Sequence, residues 1–355
     1  MRQLATIQRI VDIQLIEGAD RVVLARVLGW QCVVKKGEFS VGDMVVYIEV
    51  DSITPERPEF EFLRETKFRI KTRKFRGAYS QGLVMPMSIL PQDDAYKVGD
   101  DVTKILGIVQ FNSYGDEENP VEEKKSTNPL MRFSWYRKFF GKKKSGKWPE
   151  FITKTDEERI QKMPEILRQW RNVPVIVTEK VDGQSATFAM KRTAGFWHDN
   201  YEFYVCSRNN HKPTDDGTNW WKIAKILDMK NVLRSLFLQK TKTIVLQGEI
   251  FGNGIQGNKY GLKDIRFAAY NLVVDGKKFN TLDMSRILSR VEIKTVPVLA
   301  YEFYLPLSVD DLVAYSNGKS FYNEKVLREG VVIRDYGCGV SFKVINPEFL
   351  VKNNE

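Results

Sequence analysis

The feature that most constrains this chain is an apolar strand that ends in a lysine and a carboxylate. Residues 173–178 are rich in β-branched side chains and lead into Glu-Lys-Val-Asp-Gly at 179–183. Because side chains alternate along a strand, Lys180 and Asp182 are expected on the same side, where the strand enters a turn. Such an amine could attack the α-phosphate of a nucleotide while the carboxylate organises a metal. A plain hairpin turn explains the same residues, so context must decide.

The bulk properties describe a globular chain of more than one domain. With 355 residues, 43% of them hydrophobic, it is long enough for two or three domains. Its three cysteines show no paired spacing, which argues against a secreted disulfide framework and a zinc ribbon. The N-terminus lacks a signal-peptide core, and no apolar run approaches the roughly eighteen residues of a membrane span. We therefore expect an intracellular protein, cytoplasmic or nuclear, that is neither secreted nor membrane-bound.

The net charge of +10 is concentrated in two runs. Residues 67–76 hold six basic residues and no acid, and residues 131–147 add seven more among aromatic side chains. Basic residues interleaved with aromatics suit a polyanion whose bases can be stacked upon, although a solvated strand and a flexible linker explain each run alone. The candidate contacts in the first run are Lys67, Arg69, Lys71, Arg73, Lys74 and Arg76.

The chain divides into three parts by composition. Residues 1–105 hold about five short β-rich pieces separated by turns, which predicts an all-β barrel of the OB type, a common oligonucleotide-binding fold. Residues 106–148 are expected to form a basic, aromatic-rich linker. Residues 149–355 alternate strands with helices, which predicts an α+β domain with largely antiparallel sheets.

Local patterns place the elements of the last part. A helix is expected to begin near Thr155, where Thr-Asp-Glu-Glu fits a capping box, and to be interrupted at Pro164. Further helices are predicted at 220–239, 281–290 and 308–316, the last capped by Ser308. The predicted strands are 174–180, 185–192, 201–207, 243–250, 265–273, 330–334 and 340–345.

Further segments after Lys180 are suited to a phosphate or a nucleotide. Arg208 offers a fork-shaped cation, Glu249 and Glu329 stand at strand ends, and Lys343 follows late in the chain. Phe267 offers a flat surface for a purine. Each has an ordinary explanation as a surface charge, an ion pair or a core residue.

The order of these segments resembles the motif series of the covalent nucleotidyltransferase superfamily. Over residues 150–350 the motifs follow one another in this order: Lys-x-Asp-Gly, Ser-Arg, Gly-Glu, an aromatic strand, Glu-Gly-Val-Val and a late lysine. Within it the chain is most similar to ATP-dependent RNA ligases that carry an OB-type domain ahead of the nucleotidyltransferase (adenylyltransferase) domain, and the resemblance extends to residues 70–83.

The resemblance implies a role for each matching residue. Lys180 would become adenylylated through a phosphoramidate bond. Asp182, Glu249 and Glu329 would hold Mg²⁺ or Mn²⁺ through water and contact the ribose. Arg208 would contact the nucleotide and the RNA end, and Lys343 would contact phosphate oxygens. Phe267 would stack on adenine, and the backbone at Glu179 would read the adenine edge. The segment 154–159 would border the nucleotide.

The implied function is an ATP-dependent RNA ligase with a lysyl-AMP intermediate. Its partner would be RNA with 5′-phosphate and 3′-hydroxyl ends, expected as a nicked duplex, and the protein is expected to be a monomer. Cations near the nucleophile would lower the pKa of its amine, so that a neutral form can attack.

One position departs from the family pattern. The last motif commonly holds two lysines separated by one residue, whereas here Lys343 has Ser341 on one side and Ile345 on the other, so only one lysine is present. Lys325 or Arg334 could replace the contact of the second lysine.

Two other classes fit parts of the pattern. A capping guanylyltransferase or a DNA ligase shares the lysine chemistry, but both place the OB domain behind the catalytic domain. A catalytically degenerate RNA-binding protein would be expected to have lost at least one of the main motif residues, whereas Lys180, Asp182, Glu249, Glu329 and Lys343 are all intact.

Overall fold

The computed structural model describes residues 2–92, 95–111, 146–195 and 198–353. The acidic part of the predicted linker and nearly all of the second basic run lie outside the described residues. Within the part of the chain that is described, no helix is long and apolar enough to cross a membrane.

The N-terminal part is built on a curved five-stranded antiparallel sheet in the order β3-β2-β1-β4-β8. Its strands and the short pairs beside it are β1 Ala5–Leu15, β2 Val22–Val27, β3 Trp30–Lys35, β4 Met44–Ile48, β5 Ser52–Ile53, β6 Arg73–Phe75, β7 Ala78–Ser80, β8 Leu83–Pro86 and β9 Val109–Gln110. This confirms the OB-type, all-β prediction.

The strand β1 explains how the sheet curves into a barrel. Its first half pairs with β4 and its second half with β2, and the register shifts between Ile10 and Asp12. Such a bulge bends a strand and lets it serve two halves of a barrel. Both faces of the sheet are buried, one around Phe60 and the other around the stacked rings of Trp30 and Tyr47.

The C-terminal part contains two five-stranded sheets, in the orders β10-β21-β20-β11-β17 and β13-β12-β14-β15-β16. Their strands, with a separate β18–β19 hairpin, are β10 Glu158–Arg159, β11 Val175–Lys180, β12 Gln184–Thr193, β13 Asn200–Cys206, β14 Thr243–Gly252, β15 Ile265–Val274, β16 Lys277–Lys278, β17 Val298–Phe303, β18 Lys319–Ser320, β19 Asn323–Leu327, β20 Gly330–Asp335 and β21 Ser341–Ile345. Apart from the parallel contact of β10 with β21, every pairing in these two sheets is antiparallel, which confirms the predicted α+β class.

The helices of the described residues are α1 Thr103–Leu106, α2 Ile166–Gln169, α3 Asn219–Ile226, α4 Met229–Ser235, α5 Thr281–Ser289, α6 Val309–Ser316 and α7 Pro347–Asn353. Helices α3 to α5 cover one face of the second sheet, and α2 and α6 cover the outer face of the first. The predicted helix at 220–239 is two helices, because Asp228 between them has a left-handed backbone with φ of 44°. Ser308 caps α6 as predicted, its side chain accepting a hydrogen bond from the backbone of Asp311.

The helix predicted at Thr155 is wrong. Residues 152–157 have no regular secondary structure and lead into β10, which lies beside β21. The carboxylates that resembled a capping box are engaged elsewhere: Asp156 pairs with Lys343 and Arg208, and Glu157 pairs with Arg334. These tertiary ion pairs outweigh the local helical preference.

The segment after β10 joins the two parts of the chain. Gln161 accepts a 2.9 Å hydrogen bond from the backbone of Gly29, and Lys162 pairs with the buried Glu49 at 2.7 Å. Arg159 contacts Asp51 at 3.5 Å and lies over the ring of Trp30. The barrel therefore contacts the same segment that carries Asp156 and Glu157.

The predicted boundary at residue 105 stays a prediction, but one feature bears on it. Residues 109–110 pair with β5, and the backbone of Phe111 donates to Asp51. Residues 109–111 therefore pack with the N-terminal unit.

Candidate active site

A cavity of about 370 Å³ is lined by strands of both C-terminal sheets. Alternation along β11 directs Thr178 and Lys180 into it, while Val175 and Val177 pack on the opposite face in the core that includes α6. From the other sheet, Ser185 on β12, Glu249 on β14 and Tyr270 on β15 line the facing wall. The cavity thus brings together segments that lie far apart in the sequence.

Lys180 lies at the end of β11 in a ring of carboxylates. Its Nζ donates a 2.6 Å hydrogen bond to Oε1 of Glu329. Burial alone would lower the pKa of Lys180, but the charges of Glu329, Glu249 and Asp182 outweigh burial and raise it. In the ligand-free protein the lysine is therefore held as an ammonium ion. The lowering expected from Arg208, Lys343 and a divalent metal near the α-phosphate concerns the loaded site and stays a prediction.

The carboxylates around Lys180 form a set of oxygen donors. The pKa of Glu249 is raised to about 8, chiefly by burial, with the nearby Glu329 and Asp182 adding to the rise and Lys180 opposing it. Oε2 of Glu329 is buried and has no hydrogen-bond partner among the described residues. In the same residues no three acidic, histidine or cysteine side chains converge closely enough to bind a metal directly. An oxygen-only set with an unsatisfied buried atom suits a hydrated Mg²⁺ or Mn²⁺ ion.

Asp182 follows the strand end and is held by a separate loop. Its backbone N–H donates to the hydroxyl of Tyr260 at 2.7 Å, and its carboxylate pairs with Lys259 at 2.8 Å. It lies close enough to shift the pKa of both Lys180 and Glu249. Lys259 was not identified from the sequence, because no local pattern links it to Asp182.

Arg208 and Lys343 meet on a shared carboxylate. Asp156 contacts Arg208 at 3.1 Å through one oxygen and Lys343 at 3.0 Å through the other. Burial lowers the pKa of Lys343 to about 8, with Lys180 and Arg159 adding to the effect and Asp156 opposing it. Two cations are thus positioned together on the cavity wall, where phosphate oxygens could replace Asp156.

The prediction that the backbone at Glu179 reads the adenine edge stays a prediction. The side chain of Glu179 accepts hydrogen bonds from Ser320 and from the backbone of Phe321, and its own backbone N–H donates to Pro297. Glu179 still borders the cavity, but its carboxylate is bound to the β18–β19 hairpin.

The prediction that Phe267 stacks on adenine is corrected by its position. Phe267 is buried in the core under the helices and packs edge-on against Phe188, with ring centroids 5.4 Å apart. Along β15, Phe267 and Ala269 face that core, while Tyr270 faces the cavity. The hydroxyl of Tyr270 lies 3.0 Å from that of Ser185 and 3.3 Å from that of Thr155. Period-two alternation is the sequence signal that separates the two aromatics.

The predicted RNA-binding residues divide into two groups. Arg69 pairs with Asp51 at 2.8 Å and stacks on Phe111, and Lys71 is half-buried. The exposed members, at the end of the Pro58–Thr66 helical turn and on the β6–β7 hairpin, are Lys67, Arg73, Lys74 and Arg76.

Comparisons with known proteins agree with this geometry. An OB-fold domain family matches residues 4–87, and the RNA ligase family matches residues 173–345. No curated protein matches the chain by sequence.

The solved structures that resemble this chain include RNA ligases from Naegleria gruberi. The structure with PPi has a TM-score of 0.82 and 30% identity, and the match covers 100% of this chain and 99% of that one. A lysine-to-methionine mutant with AMP and Mn has a TM-score of 0.81 and 30% identity, covering 99% of both chains. A mutant with ATP and Mn has a TM-score of 0.81 and 29% identity, covering 100% of both chains. With an OB fold ahead of a ligase domain, the chain belongs to the RNA ligase family.

Proposed function

We propose that this chain is an ATP-dependent RNA ligase that joins 5′-phosphate and 3′-hydroxyl RNA ends through AMP bound covalently to Lys180. The observation that carries the proposal is the position of the Lys180 amine. It lies in a nucleotide-sized cavity, 2.6 Å from Glu329, with Arg208 and Lys343 on the same cavity wall. The Naegleria gruberi structures contain ATP, AMP with Mn, and PPi, which supports the same ligands here.

In the first step, the nitrogen of Lys180 attacks the α-phosphorus of ATP. A nitrogen–phosphorus bond forms, the bond to the β-phosphate oxygen breaks, and pyrophosphate leaves. The ammonium must first lose a proton, and Oε1 of Glu329 is the acceptor within hydrogen-bond distance. Arg208 and Lys343 neutralise phosphate charge, which is the main contribution a protein makes to this class of reaction.

The carboxylates identify where a metal would bind. Asp182, Glu249 and Glu329 would hold Mg²⁺ or Mn²⁺ through water, and a metal ion there would offset the burial that raises the pKa of Glu249. When bound, the metal supplies positive charge to the phosphate oxygens and favours the neutral form of the lysine amine.

Two further steps complete the cycle. The 5′-phosphate of the RNA takes AMP from Lys180 to form an RNA-adenylate, and the RNA 3′-hydroxyl then displaces AMP to form the phosphodiester. The substrate we propose is a nicked duplex, bound by a monomer through the exposed cations of the barrel: Lys67, Arg73, Lys74 and Arg76.

The test is covalent labelling with α-labelled ATP followed by denaturing electrophoresis. Wild type should retain label, Lys180→Ala should retain none, and the exposed control Lys222→Ala should label normally. Lys180→Ala should still bind nicked RNA. Label on the Lys180→Ala protein would overturn the assignment of the acceptor.

The same assay separates the alternatives. Labelling by GTP in preference to ATP would indicate a capping-type enzyme, and sealing of DNA nicks but not RNA nicks would indicate a DNA ligase. Absence of any label on wild type would indicate a degenerate binding protein.

A further inference from the structure

We propose that a second cavity, outside the nucleotide cavity, binds an unpaired nucleobase of the RNA that the enzyme seals. The inference rests on the proposed function, because it takes the occupant to be the RNA substrate. It adds a substrate class, which is RNA with a single-stranded segment close to the break. The second cavity has a volume of about 430 Å³ and lies between β13 and the helices α3 and α4. Its lining includes three aromatic and three charged side chains: Tyr201, Phe203, Trp221, Lys225, Asp228 and Lys230.

Three aromatic rings form one wall of the second cavity. Alternation along the edge strand β13 places Tyr201 and Phe203 on the same face, toward the helices. Trp221 comes from α3, and its ring centroid lies 6.1 Å from that of Phe203 in an edge-on arrangement. Its Nε1 donates to the carbonyl oxygen of Lys212 at 3.1 Å, which fixes the orientation of the indole. All three rings are only half-buried, so they leave aromatic surface on which a base can stack.

Cations surround this aromatic wall. Lys225 on α3 and Lys230 on α4 line the cavity and are exposed. Lys225 pairs with Asp215, whereas Lys230 has no ion pair within the described part of the chain. One turn after Lys230, the guanidinium carbon of Arg234 lies 3.3 Å from the ring centroid of Tyr201. The charge around the cavity is therefore mainly positive, which favours a phosphate backbone.

The remaining charged group of the lining is also compatible with a base. Asp228 accepts a 2.8 Å hydrogen bond from Nδ2 of Asn231, and carboxylate oxygens accept further bonds from the amino groups of nucleobases. Stacking surfaces beside cations are the usual means by which proteins bind single-stranded nucleic acid. A base within a duplex already stacks on its neighbours, so the occupant has to be unpaired.

Two elements connect the second cavity to the active site. Strand β13 carries Phe203, and the chain that follows it carries Arg208, which lines the nucleotide cavity. On α3, Trp220 lines the nucleotide cavity and Trp221 lines the second cavity. The chain from Phe203 to Arg208 spans at most about 18 Å, the length of roughly five stacked nucleotides. An RNA end held at Arg208 can therefore place a base from within about five nucleotides of the break in the second cavity.

The experiment measures equilibrium binding of two labelled RNAs by the full chain without ATP. One is a fully paired nicked duplex, and in the other the nucleotides on one side of the break are left unpaired. Trp221→Leu should weaken binding of the RNA with the unpaired segment roughly fivefold to a hundredfold, as expected for loss of one stacked base, and leave binding of the paired duplex unchanged. Trp221→Phe, which keeps an aromatic ring, should retain most of the affinity. Lys222→Gln, an exposed change on the same helix outside the cavity lining, should affect neither RNA.

A double variant tests the cations without altering the aromatic wall. Lys225→Gln combined with Lys230→Gln should weaken binding of the RNA with the unpaired segment. It should also reduce the slope of log K against log salt by roughly 0.7 to 1.4 units, for one or two contacts with phosphates of a single strand. Because both side chains are exposed, this variant supplies the test if thermal unfolding shows that Trp221→Leu fails to fold.

Photo-cross-linking identifies the contact directly. RNA with 5-iodouridine at one unpaired position at a time should attach on irradiation to Tyr201, Phe203 or Trp221, as read by mass spectrometry of the digested protein. Cross-links confined to other residues would overturn the inference, as would an equal loss of affinity for both RNAs in folded Trp221→Leu. Unchanged affinity for both RNAs in that variant and in the double lysine variant would also overturn it, in favour of a protein segment as the occupant.

These outcomes separate the inference from the proposed function, because binding is measured without ATP. A wild type that binds unpaired RNA through the second cavity but acquires no label from ATP would refute the proposed function alone. A wild type that acquires label, but whose RNA binding is indifferent to the cavity variants, would refute the inference alone.

Discussion

The amine of Lys180 and the carboxylate of Glu329 form a 2.6 Å hydrogen bond, and they meet because Lys180 ends β11 opposite Gly330, the residue after Glu329. A strand pairing thus sets the distance between the nucleophile and the group we propose as its proton acceptor. The contact also favours the ammonium form of the amine in the ligand-free protein.

Glu329→Gln should slow formation of the lysyl-AMP intermediate by about 10² to 10⁴-fold, because the amide cannot accept the ammonium proton as a carboxylate does. Pre-steady-state labelling with saturating ATP and metal measures this rate. Glu324→Gln, an exposed change on β19, should react at the wild-type rate. If Glu329→Gln formed the intermediate at a rate within about threefold of wild type, the result would show that another group takes the proton.

The lowered pKa of Lys343 predicts a pH dependence of ATP binding. With its pKa lowered to about 8 by burial, Lys343 is charged at pH 7 and loses its proton as the pH rises through about 8 in the free protein. Bound phosphate oxygens favour the ammonium form, so the pKa rises in the complex and binding takes up a proton above pH 8. ATP affinity of the wild type, measured without added metal, should therefore fall by up to about tenfold per pH unit there.

Calorimetry in two buffers of different ionisation enthalpy measures this proton uptake. Lys343→Arg, which stays charged, should abolish the part of the pH dependence above pH 8. Proton release instead of uptake in wild type would contradict the assignment.

Local patterns predicted much of this site because its strands obey them. Alternation gave the strand at 174–180 and placed Lys180 at its end, and most of the other predicted strands lie within a residue or two of those observed. The segment at Asp156 could not be predicted locally, because its partner Lys343 is 187 residues away in the chain. The same limit applies to Lys259 and Asp182. Choosing between Phe267 and Tyr270 required knowing which face of β15 borders the cavity.

Because Phe267 lies in the core and Tyr270 lines the cavity, alanine substitutions at the two positions should have different effects on stability and on ATP binding. Phe267→Ala should lower the free energy of unfolding by about 3–5 kcal/mol, because it opens a void in the core, and leave ATP affinity of the folded protein unchanged. Tyr270→Ala should weaken ATP binding with a smaller loss of stability, because the ring lines the cavity. Denaturant unfolding and ATP titration of both variants separate the two roles, and weaker ATP binding in folded Phe267→Ala would reverse the correction.

The exposed cations of the barrel predict the salt dependence of RNA binding. Replacing Lys67, Arg73, Lys74 and Arg76 by glutamine should weaken binding of a nicked RNA duplex and reduce the slope of log K against log salt by roughly three to four units, if each contacts a phosphate. Self-adenylylation should be unchanged, since the affected side chains lie outside the cavity. Arg69→Gln is the matched comparison, because Arg69 pairs with Asp51 and stacks on Phe111. This substitution should lower the free energy of unfolding and leave the salt slope close to that of wild type. An unchanged slope in the fourfold variant would place the RNA on another surface.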